Sequence, residues 1–295
     1  MTDDLAELRR RALALALGDA APDADFENAA RALAARADNG ELAELARLFG
    51  RAARLAPPPP AKGAALEISG EARIVRALAP LGPRVAFDIG ANRGNWTAAA
   101  LAHWPDCAVH GFEVVPDTFK HYAARFANEP RVHANPFGLA HVDGEIDINI
   151  YAGFDELASI APFPHAAPSR VVRCPVRRAD GYAAANGVAR IDYAKIDVEG
   201  AEHLVFDGFG AMLNEGRIEA LQFEYGRVNI LTHRLLIDFH FMLTNLGYRV
   251  GKAGPSGVRF ADYSLADEDF ENANYVAVRA ARADMIAALS ADAPR

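Results

Sequence analysis

From about residue 68 onward the chain alternates short apolar runs with longer stretches of helical period. Val85-Ala86-Phe87-Asp88, Ala108-Val109-His110-Gly111-Phe112-Glu113 and Val132-His133-Ala134-Asn135 predict three strands. Between them, helices are expected from about Asn95 to His103 and from Asp117 to Phe126. Gly144 separates two β-like runs, Leu139 to Val142 and Ile146 to Ile150, which predict a local excursion from the main alternation. Tyr193-Ala194-Lys195-Ile196-Asp197 reads as a central strand, followed by a helix from Ala201 to Phe209 and a strand over Ala220-Leu221-Gln222-Phe223-Glu224. One long helix is expected from Ile230 to Leu246. Two late strands, Tyr248-Arg249-Val250 and Tyr275-Val276-Ala277-Val278, lack a full helix between them and predict a hairpin edge. Such alternation builds right-handed crossovers over a mostly parallel sheet.

The first 56 residues have another character. They are rich in Ala, Leu, Arg and Glu, with Leu5, Leu8, Ala12 and Leu15 at helical spacing and Leu42, Leu45, Ala46, Phe49 and Ala53 repeating the pattern. Pro57-Pro58-Pro59-Pro60 cannot continue a helix and favours an extended spacer. The division expected is a helical extension with a proline-rich linker over 1–60 and a catalytic-type domain over 61–295. The helices are read as a cap on that domain, with homodimerisation or partner binding as the other uses.

Composition narrows the classes. The chain has 295 residues, is 51% hydrophobic and carries a formal charge of -8. It is long enough for a full core, and an acidic balance without a Lys/Arg stripe argues against a nucleic-acid partner. Cys107 and Cys174 form neither a metal spacing nor a disulfide framework. The acidic start, Met1-Thr2-Asp3-Asp4, lacks the apolar core of a signal peptide, and no apolar run reaches spanning length, so a cytoplasmic protein is expected.

The chemistry begins at Asp88-Ile89-Gly90-Ala91-Asn92-Arg93-Gly94, where a strand runs into a turn bearing two glycines. Glycine tolerates positive φ and removes a Cβ that would block a ligand. The helix that follows offers free N–H groups. The full dinucleotide fingerprint has a glycine between these two glycines, and here the middle positions are Ala91, Asn92 and Arg93. Asp88 would repel phosphates and suits an ammonium group, while Glu113 at the end of the next strand could accept two ribose hydroxyls. S-adenosyl-L-methionine meets both demands. Asn135, closing the third strand, could read an adenine edge.

A second constellation, Lys195-Ile196-Asp197-Val198-Glu199-Gly200-Ala201-Glu202, ends the central strand and opens a helix. Alternation places Lys195, Asp197 and Glu199 on one side while the strand lasts, and charges so near a sheet edge need pairing or solvent. Asp197 and Glu199 are read as catalytic candidates, for proton abstraction or substrate anchoring, and Glu224, which closes the next strand at the same edge, is a third. Glu202 is read as a first-turn carboxylate. Hard oxygen ligands at Asp197, Glu199 and Glu224 would also suit magnesium, but paired carboxylates are no metal site by themselves, and no metal is assigned. From Tyr151 to Arg173 the chain reads as a long loop over the crevice. His233 and His240 are expected on one face of the late helix.

Together the Asp88-to-Gly94 turn, Phe112-Glu113 with Pro116, the Lys195-to-Glu202 block and Glu224 resemble the FkbM family of S-adenosylmethionine-dependent methyltransferases. The resemblance covers roughly residues 80 to 280. It implies an α/β, Rossmann-like class I methyltransferase fold with a mostly parallel seven-stranded sheet and an antiparallel C-terminal hairpin. It also implies O-methylation of hydroxyls on sugars, lipids or secondary metabolites. Carried over, Asp88, Gly90 and Asn92 would surround the methionine portion of the cofactor, with Gly94 a further cofactor-binding candidate in the same turn. Glu113 would take the ribose, Asn135 would lie near the adenine, and Asp197 and Glu199 would lie beside the acceptor. Asp180 matches an acid common before the block, although Gly181-Tyr182 departs from the usual pair. The rivals are a nicotinamide-dependent oxidoreductase on the same sheet, and a non-catalytic scaffold binding a partner through the N-terminal helices.

Overall fold

The computed structural model describes residues 66, 69–151, 158–162 and 170–290. All belong to one compact unit, Ala65–Arg295. The helical extension and proline-rich linker expected over 1–60 lie outside the described residues.

Helix α1 (Glu71–Leu78) precedes the first strand, and then strands and helices alternate. They are β1 (Val85–Ile89), α2 (Asn95–His103), β2 (Ala108–Phe112), α3 (Pro116–Arg125) and β3 (Val132–Asn135). Pro116 at the first position of α3 and Asp117 in its first turn are the residue types that a helix start favours. Next come β4 (Gly138–Ala140), β5 (Gly144–Ile150), β6 (Arg170–Arg178) and α4 (Ala179–Ala185). The second half holds β7 (Ile191–Ile196), α5 (Glu202–Gly208), α6 (Gly210–Asn214), β8 (Ile218–Tyr225), α7 (Val228–Thr232) and α8 (Leu236–Asn245). The described chain closes with β9 (Tyr248–Gly254), β10 (Gly257–Phe260), β11 (Ala273–Arg279) and α9 (Ala283–Leu289).

The main sheet has eight strands in the order β10-β9-β11-β8-β7-β1-β2-β3. β3, β2, β1, β7 and β8 run parallel, whereas β11, β9 and β10 pair antiparallel at the far edge. The mostly parallel sheet and its antiparallel C-terminal edge are as expected, with β10 as an eighth strand. Strand order reverses between β1, which leads outward to β2 and β3, and β7, which leads the other way. A crevice beyond the carboxyl ends of strands at such a reversal is where ligands bind in open α/β sheets.

Alternation sorts the core. On β1, Phe87 and Ile89 face Phe112, Phe206 and Phe223 on one side of the sheet. Ala86 faces the other way, toward Ile74, Trp96, Trp104 and Tyr193. All of β7 is buried, as befits a central parallel strand covered on both faces.

Three local expectations are corrected. The stretch read as loop up to Arg173 includes the start of β6, which pairs with β4 and β5 in a separate three-stranded sheet. The proposed late helix is two helices, because His233 takes a left-handed conformation (φ 54°) and ends α7. His233 and His240 therefore do not share a helix face.

Candidate active site

The β1–α2 turn forms one wall of the crevice. Gly90 (φ 80°), Asn92 (φ 48°) and Gly94 (φ 77°) all sit in the left-handed region, and the Gly90 and Ala91 amides donate to the Phe112 carbonyl at 3.0 and 2.9 Å. A Cβ at Gly90 would collide with the carbonyl oxygen of Asp197. The close approach that requires glycine is therefore first to the end of β7. A Cβ at Gly94 would press into the rings of Phe126 and Tyr122.

Glu113 holds this turn from the β2 side. Its Oε2 accepts from the Asn92 amide at 2.8 Å and its Oε1 from the Val115 amide at 2.7 Å. The carboxylate is 6% exposed and lines the crevice, and burial pushes its pKa up against the pull of those two N–H donors. A carboxylate has about four lone-pair sites, so two remain for hydroxyl donors.

Asp88 stands elsewhere than expected. It is 0% exposed and accepts from Thr97 Oγ1 at 2.6 Å. Its register partner on β7 is Lys195, whose Nζ lies 3.5 Å from Asp88 Oδ1. The ammonium beside Asp88 is thus the chain's own, and Asp88 acts behind the wall rather than on it. Lys195 also reaches Asp197 Oδ2 at 3.1 Å and donates to the Gly90 carbonyl at 2.9 Å, tying β7 to the turn. Burial alone would lower the Lys195 pKa, but Asp197, Asp88 and Glu71 outweigh it and hold the ammonium charged.

Asp197, Glu199 and Glu224 do converge: one oxygen of each lies within 4.8 Å of the others. Glu199 is a non-glycine residue at φ 49°, the kind of backbone strain that persists only when its surroundings enforce it. Ser159, fully buried, enforces it by donating Oγ to the Glu199 carbonyl at 2.8 Å. Burial, then Glu224 and Asp197, push the Glu199 pKa well up; burial, then Asp197 and Glu202, do the same to Glu224. Glu202 is buried beneath them. Its Oε1 accepts from the Val198 and Gly200 amides at 3.1 and 3.3 Å, and its Oε2 has no hydrogen-bond partner. Glu202 is thus the first-turn carboxylate expected, and it also holds the turn before the helix.

A cavity of about 390 Å³ joins these groups. Gly90 to Arg93 and Glu113 line one part, and Lys195, Asp197, Glu199 and Glu224 line another. The volume falls within the usual range for small-molecule sites. Ile146, Ile148 and Val176 from the small sheet add an apolar side. A second cavity of about 430 Å³ lies at the N-terminal ends of β1 and β7, beside Val85 and Asp192, and contains none of these groups.

The sequence reading missed part of the wall. Glu71, at the start of α1, lines the cavity with Asn272 and Asn274. The signal available for the asparagines was their i, i+2 spacing, which puts both on one face of an extended chain. Asn135, by contrast, donates Nδ2 to the Gly111 and His133 carbonyls at 3.1 and 2.9 Å, which joins the ends of β2 and β3. Asp180 accepts from the Ala211 and Met212 amides and caps α6.

A mostly parallel sheet flanked by helices, with its cleft at the strand-order reversal, defines a Rossmann-like, class I methyltransferase fold. The chain belongs to the methyltransferase FkbM domain family, whose match spans residues 88–250, more than half of its length. Solved structures of similar fold include a methyltransferase FkbM from Methylobacillus flagellatus, at 14% identity and a TM-score of 0.42 over 66% of this chain and 44% of that one. Another is the O-methyltransferase TomG from Streptomyces achromogenes, at 12% identity and 0.40 over 71% and 79%. The chain thus spans less than half of the FkbM structure's length. No curated protein sequence matches it. Family and fold place it in the S-adenosylmethionine-dependent methyltransferase class.

The residues fit that cofactor. Glu71, Glu113, Asp197, Glu199 and Glu224 make a carboxylate-rich lining, which suits a cationic sulfonium bearing an ammonium group and opposes a pyrophosphate. Glu113 keeps two lone pairs free of the chain's own donors, as a ribose partner would require. Among the described residues no helix is long and apolar enough to cross a membrane.

Proposed function

We propose that this protein transfers the methyl group of S-adenosylmethionine to a hydroxyl oxygen of a sugar, lipid or secondary metabolite. The observation that carries the reading is the single cavity in which Glu113 and the Gly90–Gly94 turn share walls with Asp197, Glu199 and Glu224. The cofactor supplies an activated methyl group on a sulfonium; the chain's own residues do the rest. Glu113 and the turn fix the nucleoside, and the apolar side formed by Ile146, Ile148 and Val176 excludes water from it.

Asp197, Glu199 or Glu224 takes the hydroxyl proton. The base must be ionised when the hydroxyl arrives: burial and neighbouring carboxyls push Glu199 and Glu224 up, and the cationic cofactor beside them favours loss of their protons. Lys195 fixes Asp197 from behind. Most of the rate then comes from holding two reactants aligned, which is worth up to about 7–11 kcal/mol.

Calorimetry with S-adenosylmethionine and with NAD tests the donor, and a mass-shift screen of hydroxyl compounds tests the acceptor. Binding of the first ligand and a gain of one methyl group on oxygen are expected. NAD binding without S-adenosylmethionine binding would establish the oxidoreductase reading instead. Methylation confined to nitrogen or carbon would refute the hydroxyl assignment.

A further inference from the structure

We propose that Glu71, on the helix before the first strand, is the carboxylate that receives the α-ammonium of the cofactor's amino-acid end; this rests on the cofactor reading above. Asp88, the acid that the turn motif offers for that role, is sealed away from the cavity and paired with Lys195 and Thr97. Asp197 has the same lysine at 3.1 Å. Glu71 lies on the cavity wall, and among the described residues no Lys or Arg forms an ion pair with it. The Lys195 ammonium acts on it only through its field, so the carboxylate keeps its oxygens for a cation that the described chain does not bring into contact with it.

Its position is built. Ser69 Oγ donates to Glu71 Oε2 at 2.8 Å, and Gln222 Nε2 donates to Glu71 Oε1 at 2.8 Å. Gln222 is in turn fixed by the Tyr193 hydroxyl at 2.9 Å. Two neutral donors leave the carboxylate lone pairs to spare, while burial, opposed by Lys195, pushes its pKa up. A carboxylate in that state gains strongly from a cationic partner.

Placement along the sheet agrees. Glu113 follows β2, and Glu71 touches Gln222 on β8, with β1 and β7 between them. Three strand spacings, about 14 Å, separate the two ends of the cleft. The nucleoside is held at the Glu113 end, so an extended amino-acid tail runs past the Gly90 turn toward β7 and β8. Glu71 is also outside the family match, which begins at residue 88, so the motif alone would never identify it.

A two-by-two binding cycle tests this. Wild-type protein and Glu71→Gln are each titrated calorimetrically with S-adenosylhomocysteine and with its des-amino analogue, in which hydrogen replaces the α-ammonium. Losing a charge-assisted hydrogen bond should weaken S-adenosylhomocysteine binding to the variant about ten- to a hundredfold. The des-amino analogue should bind both proteins equally, and should bind wild type weaker than the parent by the same factor. That last comparison needs no variant and survives a misfolded Glu71→Gln. Equal losses for the two ligands in the variant would mean a purely structural Glu71 and overturn the proposal, as would equal affinity of wild type for both. Wild type that binds S-adenosylmethionine and S-adenosylhomocysteine not at all would overturn the cofactor reading, and the Glu71 assignment with it.

Discussion

Replacing Glu113 by Gln separates two jobs that one carboxylate performs. Its oxygens hold the Asn92 and Val115 amides at 2.8 and 2.7 Å, and its remaining lone pairs face the cavity. Glutamine keeps one acceptor oxygen, so one amide bond survives in weaker, neutral form. The other is replaced by an NH₂ set against an N–H, leaving a buried donor unpaired at a loss of about 1–3 kcal/mol. Removing a charge whose burial is unfavourable returns part of this, so a net destabilisation of about 1–2 kcal/mol is expected by urea denaturation. Cofactor binding should suffer more, because a ribose bound by a charged acceptor gains about 1.5–3 kcal/mol over none. The expected loss is about ten- to a hundredfold in Kd, read by calorimetry under conditions where both proteins are folded. Wild-type affinity in a folded Glu113→Gln protein would refute the ribose role. A loss of stability with no loss of affinity would reduce Glu113 to a clasp on the turn.

Four further substitutions probe the remaining site. Gly90→Ala combines a left-handed backbone with a methyl driven into the Asp197 carbonyl, and should lower the unfolding free energy by about 2 kcal/mol or more; an unchanged urea midpoint would contradict the packing described. Asp197→Asn and Glu199→Gln should lower kcat by about 10²–10⁴-fold while the cofactor Kd moves only a few-fold; intact turnover in both would remove them from proton transfer. Burial pushes the Glu202 pKa from 4.5 to about 7. The folded state therefore holds this proton more tightly than the unfolded chain, and the stability it contributes is full below 4.5 and lost as pH rises through about 7. That loss is about 3 kcal/mol, and Glu202→Gln should flatten this part of the stability–pH profile. Identical pH slopes for wild type and variant in denaturant unfolding would refute the assignment.

The alternation of the chain made most of the main sheet legible. Helix α2 and strand β3 begin and end where hydrophobic period and flanking residues place them. Strand β6 was hidden because Arg170, Arg173, Arg177 and Arg178, with Pro175, give it a polar, broken look; its exposed face on a small outer sheet tolerates them. The break at His233 was equally hidden, since apolar spacing continues across it and the left-handed turn has no glycine to announce it. In the site, the carboxylates were legible as strand-end acids, but their partners were not. Asp88 and Lys195 are 107 positions apart and meet only through the β1–β7 register. Glu71 gave no signal, because its meaning depends on Gln222, which hydrogen bonds to it from β8.

That register also explains how the cleft tolerates its own charge. Lys195 stands among Glu71, Asp88, Asp197, Glu199 and Glu224, and one ammonium cannot neutralise so many carboxyls in a poorly solvated crevice. Burial, the largest cause for each, pushes Glu71, Asp88, Glu199 and Glu224 up, so each holds a proton more readily in the free protein than in water. A cationic ligand competes with those protons, so S-adenosylmethionine binding should release protons to solvent and strengthen as pH rises. A pyrophosphate-bearing ligand should do the reverse. Calorimetry in two buffers of different ionisation enthalpy counts the protons directly. Net proton uptake on S-adenosylmethionine binding would refute the electrostatic account of the cleft, whichever hydroxyl compound proves to be the acceptor.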